Sequence, residues 1–351
     1  MKTENLIQTF TKLGKILRKE ENYISSVSEY PEILEAINKS SILNPWFIAK
    51  NVEFALQSIG SSLTIDNIRK WIEPYEEKMA ENNRPKTIGV VMAGNIPIVG
   101  FHDFICVILS GNKFLGKLSS DDSKLIPAVA EQLVRIEPGL SEFIEFTEGK
   151  LEGFDAVIAT GSNNTSRYFE YYFGKYPHII RKNRNGVAVL SGNESKQELE
   201  GLGQDIFMYF GLGCRNVSKL FVPKNYNFNL FFKAVEKFSF VGEHHKYRNN
   251  YDYYRSIYLV NSIEHLDNGF LMVKKDAGYS SPPSVIFFEE YDNFNEVEDR
   301  LKADEEQIQC VVSNATFSMG VVGFGSAQKP ELWDYADGID TMAFLLDLSK
   351  T

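Results

Sequence analysis

The chain is poor in cysteine and histidine, with three Cys and five His in 351 residues. Three thiols cannot all pair and are too few for a disulfide framework, which points to a reducing compartment. The histidines, His244-His245 included, lack zinc-site spacing, so no metal is expected. Positive charge is also short: Lys+Arg is 37 against 47 Asp+Glu, a net charge of −10. Such an acidic chain has no general electrostatic reason to bind a nucleic-acid backbone. Long apolar runs are missing. The best stretch, Ile88 to Leu109, is interrupted by Asn95, Pro97, His102 and Asp103, which a membrane span of about 20 apolar residues would not tolerate. The opening MKTENLIQTFTKLGKILRKE has the pattern of an amphipathic helix and not of a signal peptide. A cytoplasmic protein is expected. No Gly-x-Gly-x-x-Gly follows a strand, since Gly211-x-Gly213 and Gly323-x-Gly325 both lack the third glycine. A P-loop and a Gly-x-Ser-x-Gly elbow are absent as well.

What is present is the composition of a folded protein, 43% hydrophobic and 24% charged, which excludes a mostly disordered chain or a coiled coil. The length suggests one large or two medium domains, because single cores tend to split beyond about 250–300 residues. Residues 1–80 read as mainly helical: Leu6, Phe10, Leu13, Ile16 and Leu17 recur at helical spacing, as do Phe47, Val52, Ala55, Leu56 and Ile59. Gly60-Ser61-Ser62 is expected to end that second helix, and Glu81 to Pro85 to form a polar hinge. From Thr87 short apolar runs alternate with helical patterns. Ile88–Met92, Lys113–Lys117, Ile144–Phe146, Ala156–Ala159 and Gly186–Leu190 are expected strands. Ile98–Leu109, Asp122–Arg135 and Asn164–Phe173 are expected helices between them. That alternation predicts a parallel α/β sheet. Further on, Gln197–Tyr209 reads as a helix and Lys219–Val222 as a strand.

Four segments could carry chemistry. Cys106 and Cys310 sit in apolar runs and read as small core hydrophobes. Cys214 lies in Phe-Gly-Leu-Gly-Cys-Arg-Asn, where glycines permit close approach and a neighbouring cation favours thiolate. A structural cysteine near a turn fits the same local sequence equally well. Asn95, in Met-Ala-Gly-Asn-Ile-Pro after a strand, could donate its amide to an oxyanion or simply cap a helix. Lys117 ends another strand and could hold ribose or phosphate, or be a solvated lysine. Thr160-Gly161-Ser162 opens a helix after a third strand. Its backbone N–H groups could bind phosphate, or it could be a capped turn.

In order and spacing, Asn95-x-Pro97, Gly111-Asn112, Lys117, Thr160-Gly161-Ser162 and Gly211-x-x-Cys214, with Lys219 five residues on, resemble the aldehyde dehydrogenase superfamily. The closing Gly323-Phe-Gly-Ser-Ala-Gln-x-Pro330, Tyr335-Ala336 and Asp340-Thr-Met-x-Phe-Leu345 look like its long-chain acyl-CoA reductase (LuxC-like, fatty acid reductase) family. The resemblance implies an α/β fold with a Rossmann-type cofactor domain, an α/β catalytic domain and a helical N-terminal region. The expected division is 1–84 helical, 85–185 NADP-binding core, 186–330 catalytic, and 331–351 a C-terminal return. The resemblance also implies that Cys214 is the nucleophile in the cleft between two lobes, that Asn95 and the Cys214 N–H hold the oxyanion, and that Lys117, Thr160, Gly161 and Ser162 bind the cofactor.

Three departures refine the expectation. Lys182-Asn-Arg-Asn-Gly186 stands where aldehyde dehydrogenases carry a water-activating glutamate. Without that base an acyl-enzyme would survive until hydride arrives. Ser120 stands where a ribose-binding glutamate would repel a 2′-phosphate, which favours NADPH over NADH. Ser281-Pro282-Pro283 lacks the glutamate that would grip the nicotinamide ribose. The expected activity is reduction of a fatty acyl thioester, from CoA, a carrier or an acyl-protein, to an aldehyde. The alternatives are aldehyde oxidation to acid and a non-catalytic homologue binding acyl-CoA or a partner. A homo-oligomer or a partner subunit is expected. Lys113, Lys117 and Arg215 are expected to form a local basic set for anionic ligands.

Overall fold

The computed structural model describes residues 2–20, 31–81 and 84–348, and the chain divides into two compact units. Asn82 and Asn83 of the expected hinge lie outside the described residues. The first unit comprises residues 1–182 and 330–351, the second 183–329.

The first unit begins with α1 (Thr3–Leu17), α2 (Pro31–Leu43), α3 (Ala49–Ser62), α4 (Ile65–Ile72) and α5 (Glu76–Glu81). The apolar stripe of α1 is buried: Leu6, Phe10, Leu13 and Leu17 are all 4% exposed or less. α1 approaches α3 through two glycines. A Cβ on Gly14 would lie 2.4 Å from the Leu63 carbonyl oxygen, and one on Gly60 would lie 2.9 Å from that of Gly14. α3 ends at Ser62, within the Gly60-Ser61-Ser62 stretch expected to stop it.

Next comes a five-stranded sheet, wholly parallel, of β1 (Thr87–Val91), β2 (Lys113–Lys117), β3 (Ile144–Thr147), β4 (Ala156–Thr160) and β5 (His178–Arg181). The spatial order is β3-β2-β1-β4-β5. The chain direction across the sheet thus reverses between β1 and β4, the position at which such sheets open a ligand crevice. The linking helices are α6 (Phe101–Leu109), α7 (Leu125–Ile136) and α8 (Asn163–Phe173). α6 starts three residues later than the sequence pattern suggests. Ile98 and Gly100 adopt φ of 63° and 91°, and such left-handed backbone cannot propagate a right-handed helix. α7 likewise starts at Leu125, because Asp122 is used as a hydrogen-bond acceptor ahead of it.

A C-terminal helix, Thr341–Asp347, belongs to this unit and is bonded to one partner of a buried ion pair. Arg181 donates to both oxygens of Asp103 (2.6 and 2.8 Å) and to the Thr341 hydroxyl (3.0 Å).

The second unit holds a six-stranded sheet in the order β11-β6-β7-β10-β9-β8. Its strands are β6 (Asn185–Val189), β7 (Val217–Pro223), β8 (Leu266–Asp267), β9 (Met272–Lys275), β10 (Val285–Tyr291) and β11 (Ile308–Val312). Only the β8–β9 pairing is antiparallel. The helices are α9 (Lys196–Phe207), α10 (Phe228–Val235), α11 (His245–Val260) and α12 (Phe294–Ala303). Val187, Val189, Phe221, Val297 and Leu301 form one core under α12; Tyr251, Tyr258, Met272 and Val285 form another under α11. The helix expected to reach Tyr209 ends at Phe207, because Tyr209 and Phe210 turn left-handed (φ 53° and 58°).

Candidate functional site

In the first unit, the candidates gather at one edge of the sheet. Val91 of β1 lies opposite both Lys117 of β2 and Ala159 of β4. In a parallel sheet this register puts the carboxyl ends of the three strands side by side, and Asn95, Lys117–Ser120 and Thr160–Ser162 all follow those ends. Asn95 is exposed in the loop before α6. It does not cap that helix, whose N-cap position is Gly100.

Three contacts shape this loop. The Asn44 amide donates to the Gly94 carbonyl (3.1 Å). A Cβ on Gly94 would stand 2.5 Å from Ser119 Oγ, so glycine lets the β1 and β2 loops touch. The buried Asp122 carboxylate accepts from the Ile98 N–H (2.7 Å) and the Leu125 N–H (3.4 Å). Burial pushes its carboxyl up to about 6 despite those donors.

Lys117 is half-buried and its ammonium donates to the Glu148 carbonyl, leaving donors over for a further acceptor. Ser120 is exposed. Ser162 is the N-cap of α8 and accepts from the Thr165 N–H at 3.2 Å. A Cβ on Gly161 would crowd the Phe169 ring at 2.9 Å. The Lys113–Lys117 part of the expected basic set is not a cluster. The two residues occupy opposite ends of β2, and four residue steps of strand span about 13 Å.

In the second unit, Cys214 is exposed on the turn between Gly211 and β7. Three successive left-handed residues lead into that turn, Tyr209, Phe210 and Gly211 (φ 78°). For the two non-glycines this costs on the order of 1–3 kcal/mol each, so the surroundings must enforce it. Asn216 does so. Its amide donates to the carbonyls of Asp205 (2.9 Å), Ile206 (3.3 Å) and Met208 (2.8 Å), and its oxygen accepts from the Gly213 N–H (2.8 Å).

Arg215 Nε donates to the Ala327 carbonyl (2.5 Å). Asp205, fully buried, accepts from the N–H groups of Gly325 (2.7 Å) and Ala327 (3.0 Å). Its carboxyl too is pushed up to about 6 by burial. The His244 ring packs on Phe210, centroids 4.4 Å apart. A small recess beside the turn is lined by Phe210, Gly211, Val217, Tyr247, Pro282 and Pro283.

The other sequence candidates have structural positions. Lys219 is wholly buried, bonded to the Asp276 carbonyl and to Glu289 (2.9 Å). Arg184 and Asn185, from the stretch without a carboxylate, donate to the carbonyls of Glu305 (3.2 Å) and Gln307 (3.3 Å) and so brace the start of β11. The Cys310 thiol faces the Arg215 carbonyl at 3.7 Å, and Cys106 is buried on α6. Sequence reasoning missed Asp122, Asp205, Asn216 and His244. Asp205 and Asn216 sit beside residues it had singled out, but nothing local marks their partners. Among the described residues, no group of His, Cys, Asp or Glu could hold a metal and no helix is long and apolar enough to cross a membrane.

Comparison with known proteins places this architecture. The model of the family described as acyl-CoA reductase (LuxC) matches residues 1–230. Aldehyde dehydrogenase 21 from Physcomitrella patens, solved with its reaction product succinate, superposes with a TM-score of 0.65 at 13% identity, covering 99% of this chain and 84% of that one. An NADP-dependent enzyme from E. coli gives 0.62 at 12%, covering 92% and 81%. An NAD+ complex of an aldehyde dehydrogenase from Bacillus cereus gives 0.58 at 12%, covering 89% and 72%. No curated protein matches the chain. The chain thus has the aldehyde dehydrogenase fold. The chain belongs to the LuxC acyl-CoA reductase family of that superfamily, and is an oxidoreductase of aldehyde or acyl groups.

Proposed function

We propose that the protein reduces a fatty acyl thioester to an aldehyde with NADPH, through an S-acyl intermediate on Cys214. The observation that carries this is the exposed Cys214 on a strained turn clamped by Asn216. Such a thiol is accessible and held in one conformation, as a nucleophile must be. Its sulfur attacks the thioester carbonyl, a new C–S bond forms, and the bond to the donor sulfur breaks to release CoA or a carrier thiol. The Cys214 backbone N–H and the Asn95 amide are assigned to the oxyanion.

A nicotinamide cofactor would supply a hydride to the S-acyl carbonyl carbon, so that the C–S bond to Cys214 breaks and aldehyde and the Cys214 thiolate remain. The solved relatives include an NADP-dependent enzyme and an NAD+ complex, which supports a nicotinamide cofactor. The first unit fits one: a β-sheet switch point, a glycine before α8 and the first N–H groups of that helix suit a pyrophosphate. Lys117, Ser120, Thr160, Gly161 and Ser162 are assigned to it, with residues 85–185 as its core and 186–330 as the catalytic part. Ser120 stands at the position where a glutamate would repel a 2′-phosphate, which supports NADPH over NADH.

Aldehyde oxidation to acid is disfavoured because Arg184 and Asn185 occupy the stretch where a water-activating base would stand. The test is acyl-CoA-dependent oxidation of NADPH by the purified protein, run beside NADH. We expect aldehyde as product, a mass increase of one acyl group on Cys214, and loss of at least about 1,000-fold in Cys214→Ala, the scale of removing a nucleophile. Undiminished activity in that variant, or free acid as the product of the aldehyde with NADP, would overturn the reading.

A further inference from the structure

The Cys214 turn is not held by local bonds alone. A closed circuit of hydrogen bonds joins it to a loop more than 100 residues away. The Asp205 carboxylate accepts from the Gly325 and Ala327 N–H groups. The Ala327 carbonyl accepts from Arg215 Nε, and the next residue, Asn216, donates to the Asp205 carbonyl. Gly201, one helical turn before Asp205, makes the fit possible, because a Cβ there would lie 2.9 Å from the Phe324 backbone. Both carboxylate oxygens are used, one for each N–H. An ionised aspartate satisfies both; an amide or a protonated acid offers a donor where one of those N–H groups needs an acceptor.

We propose that Asp205 is a positioning residue for Cys214: its ionised carboxylate closes the circuit that fixes the Gly323–Ala327 loop and, through Arg215 and Asn216, the conformation in which the Cys214 thiol reacts. This rests on the reading of Cys214 as the nucleophile. The circuit opens on protonation. The charged groups acting on Asp205 are Arg215 from the turn and Lys329 beyond the loop; both favour the carboxylate, and burial opposes them. The balance, near pH 6, lies within reach of ordinary assay conditions.

The test is the rate at which iodoacetamide alkylates Cys214, followed by peptide mass mapping to separate it from Cys106 and Cys310. In Asp205→Asn, still folded by circular dichroism, the rate at pH 7.5 is expected to fall about tenfold, the scale of one lost charge-assisted hydrogen bond. In the wild type the logarithm of the rate should fall more steeply with pH below about 6 than above it, and this extra slope should be missing in the variant. A merely structural aspartate would leave that profile unchanged. A folded variant with the wild-type rate and profile overturns the proposal. Should Asp205→Asn fail to fold, Arg215→Met breaks the circuit at the Ala327 carbonyl; a severalfold slower alkylation is expected, and an unchanged rate overturns the proposal equally. The functional reading fails separately: a protein whose alkylation behaves as described, yet which no acyl-CoA acylates, loses the proposed activity and keeps this positioning role.

Discussion

The two loop systems that carry the candidate residues are pinned by the same device and built differently around it. In the first unit Asp122 holds the β1 loop through the Ile98 N–H; in the second Asp205 holds the Gly323–Ala327 loop through two N–H groups. Both carboxylates are buried and both are pushed up to about 6. The difference is reach. Asp122 bonds 24 residues back and three residues forward, whereas the bonds of Asp205 cross 120 and 122 residues. Backbone strain follows the same division. The first loop has one left-handed non-glycine, Ile98; the cysteine turn is entered through Tyr209 and Phe210 in succession. A phosphate-binding edge needs backbone N–H groups aimed outward, which a strand end followed by a helix provides locally. A nucleophilic turn must be held against its own strain, and that takes clamps from distant chain.

Three measurements would sharpen or break this contrast. The largest expected effect is at Asn216. Its amide serves four backbone groups, and at roughly 1 kcal/mol for each bond lost, Asn216→Ala should cost about 4 kcal/mol in urea denaturation. A cost close to zero would mean that the turn holds itself.

Next come the two aspartates. Each folded carboxyl titrates at about 6, above the ordinary value near 3.9, so on raising the pH the unfolded chain releases the proton first. The stabilisation belonging to the protonated form is therefore complete below about pH 4 and lost as pH rises through 6. Relative to its own Asp→Asn variant, the wild type should lose on the order of 2 kcal/mol at each site between pH 4 and pH 7. If Asp122 showed this and Asp205 did not, the two clamps would not be equivalent. At Asp205 the sign has a consequence, for the ionised form that costs stability is the one that closes the circuit around Cys214.

The smallest effect is Ser162→Ala. It removes the α8 N-cap and should cost about 1 kcal/mol in thermal or urea unfolding, with cofactor affinity reduced more than the stability of the second unit.

The first unit was far more legible in the sequence than the second. β1 to β4 announce themselves as short apolar runs ended by Gly, Asn or Ser, and the elements found match those runs within a few residues. β5 was overlooked because His178-Ile-Ile-Arg181 is short and half polar; the arginine is there to meet Asp103 inside the unit. In the second unit α10 and α12 escaped notice, as did β9. Phe228, Phe231, Phe232 and Val235 do recur at helical spacing, as do Phe294, Val297 and Leu301, but each pattern spans only about two or three turns and is easily passed over beside the stronger strand signals. Helix starts were misjudged where a polar side chain does a remote job, as Asp122 does for Ile98. Lys219 attracted attention by its spacing from Cys214, and its ammonium is spent on Asp276 and Glu289.

From the sequence alone follow the α/β alternation, the absence of metal-site spacing and of any apolar span, the kinship with acyl-CoA reductases, and the singling out of one cysteine among three. These are properties of composition and of neighbours along the chain, which period and spacing record. Only the tertiary structure decided that Cys106 is buried on a helix and Cys310 faces the Arg215 carbonyl, that Arg215 is bound to Ala327, and that the Cys214 turn is closed by Asp205 and Asn216. Each of these depends on which backbone groups burial leaves in need of a partner. That need arises only once distant segments have packed and excluded water.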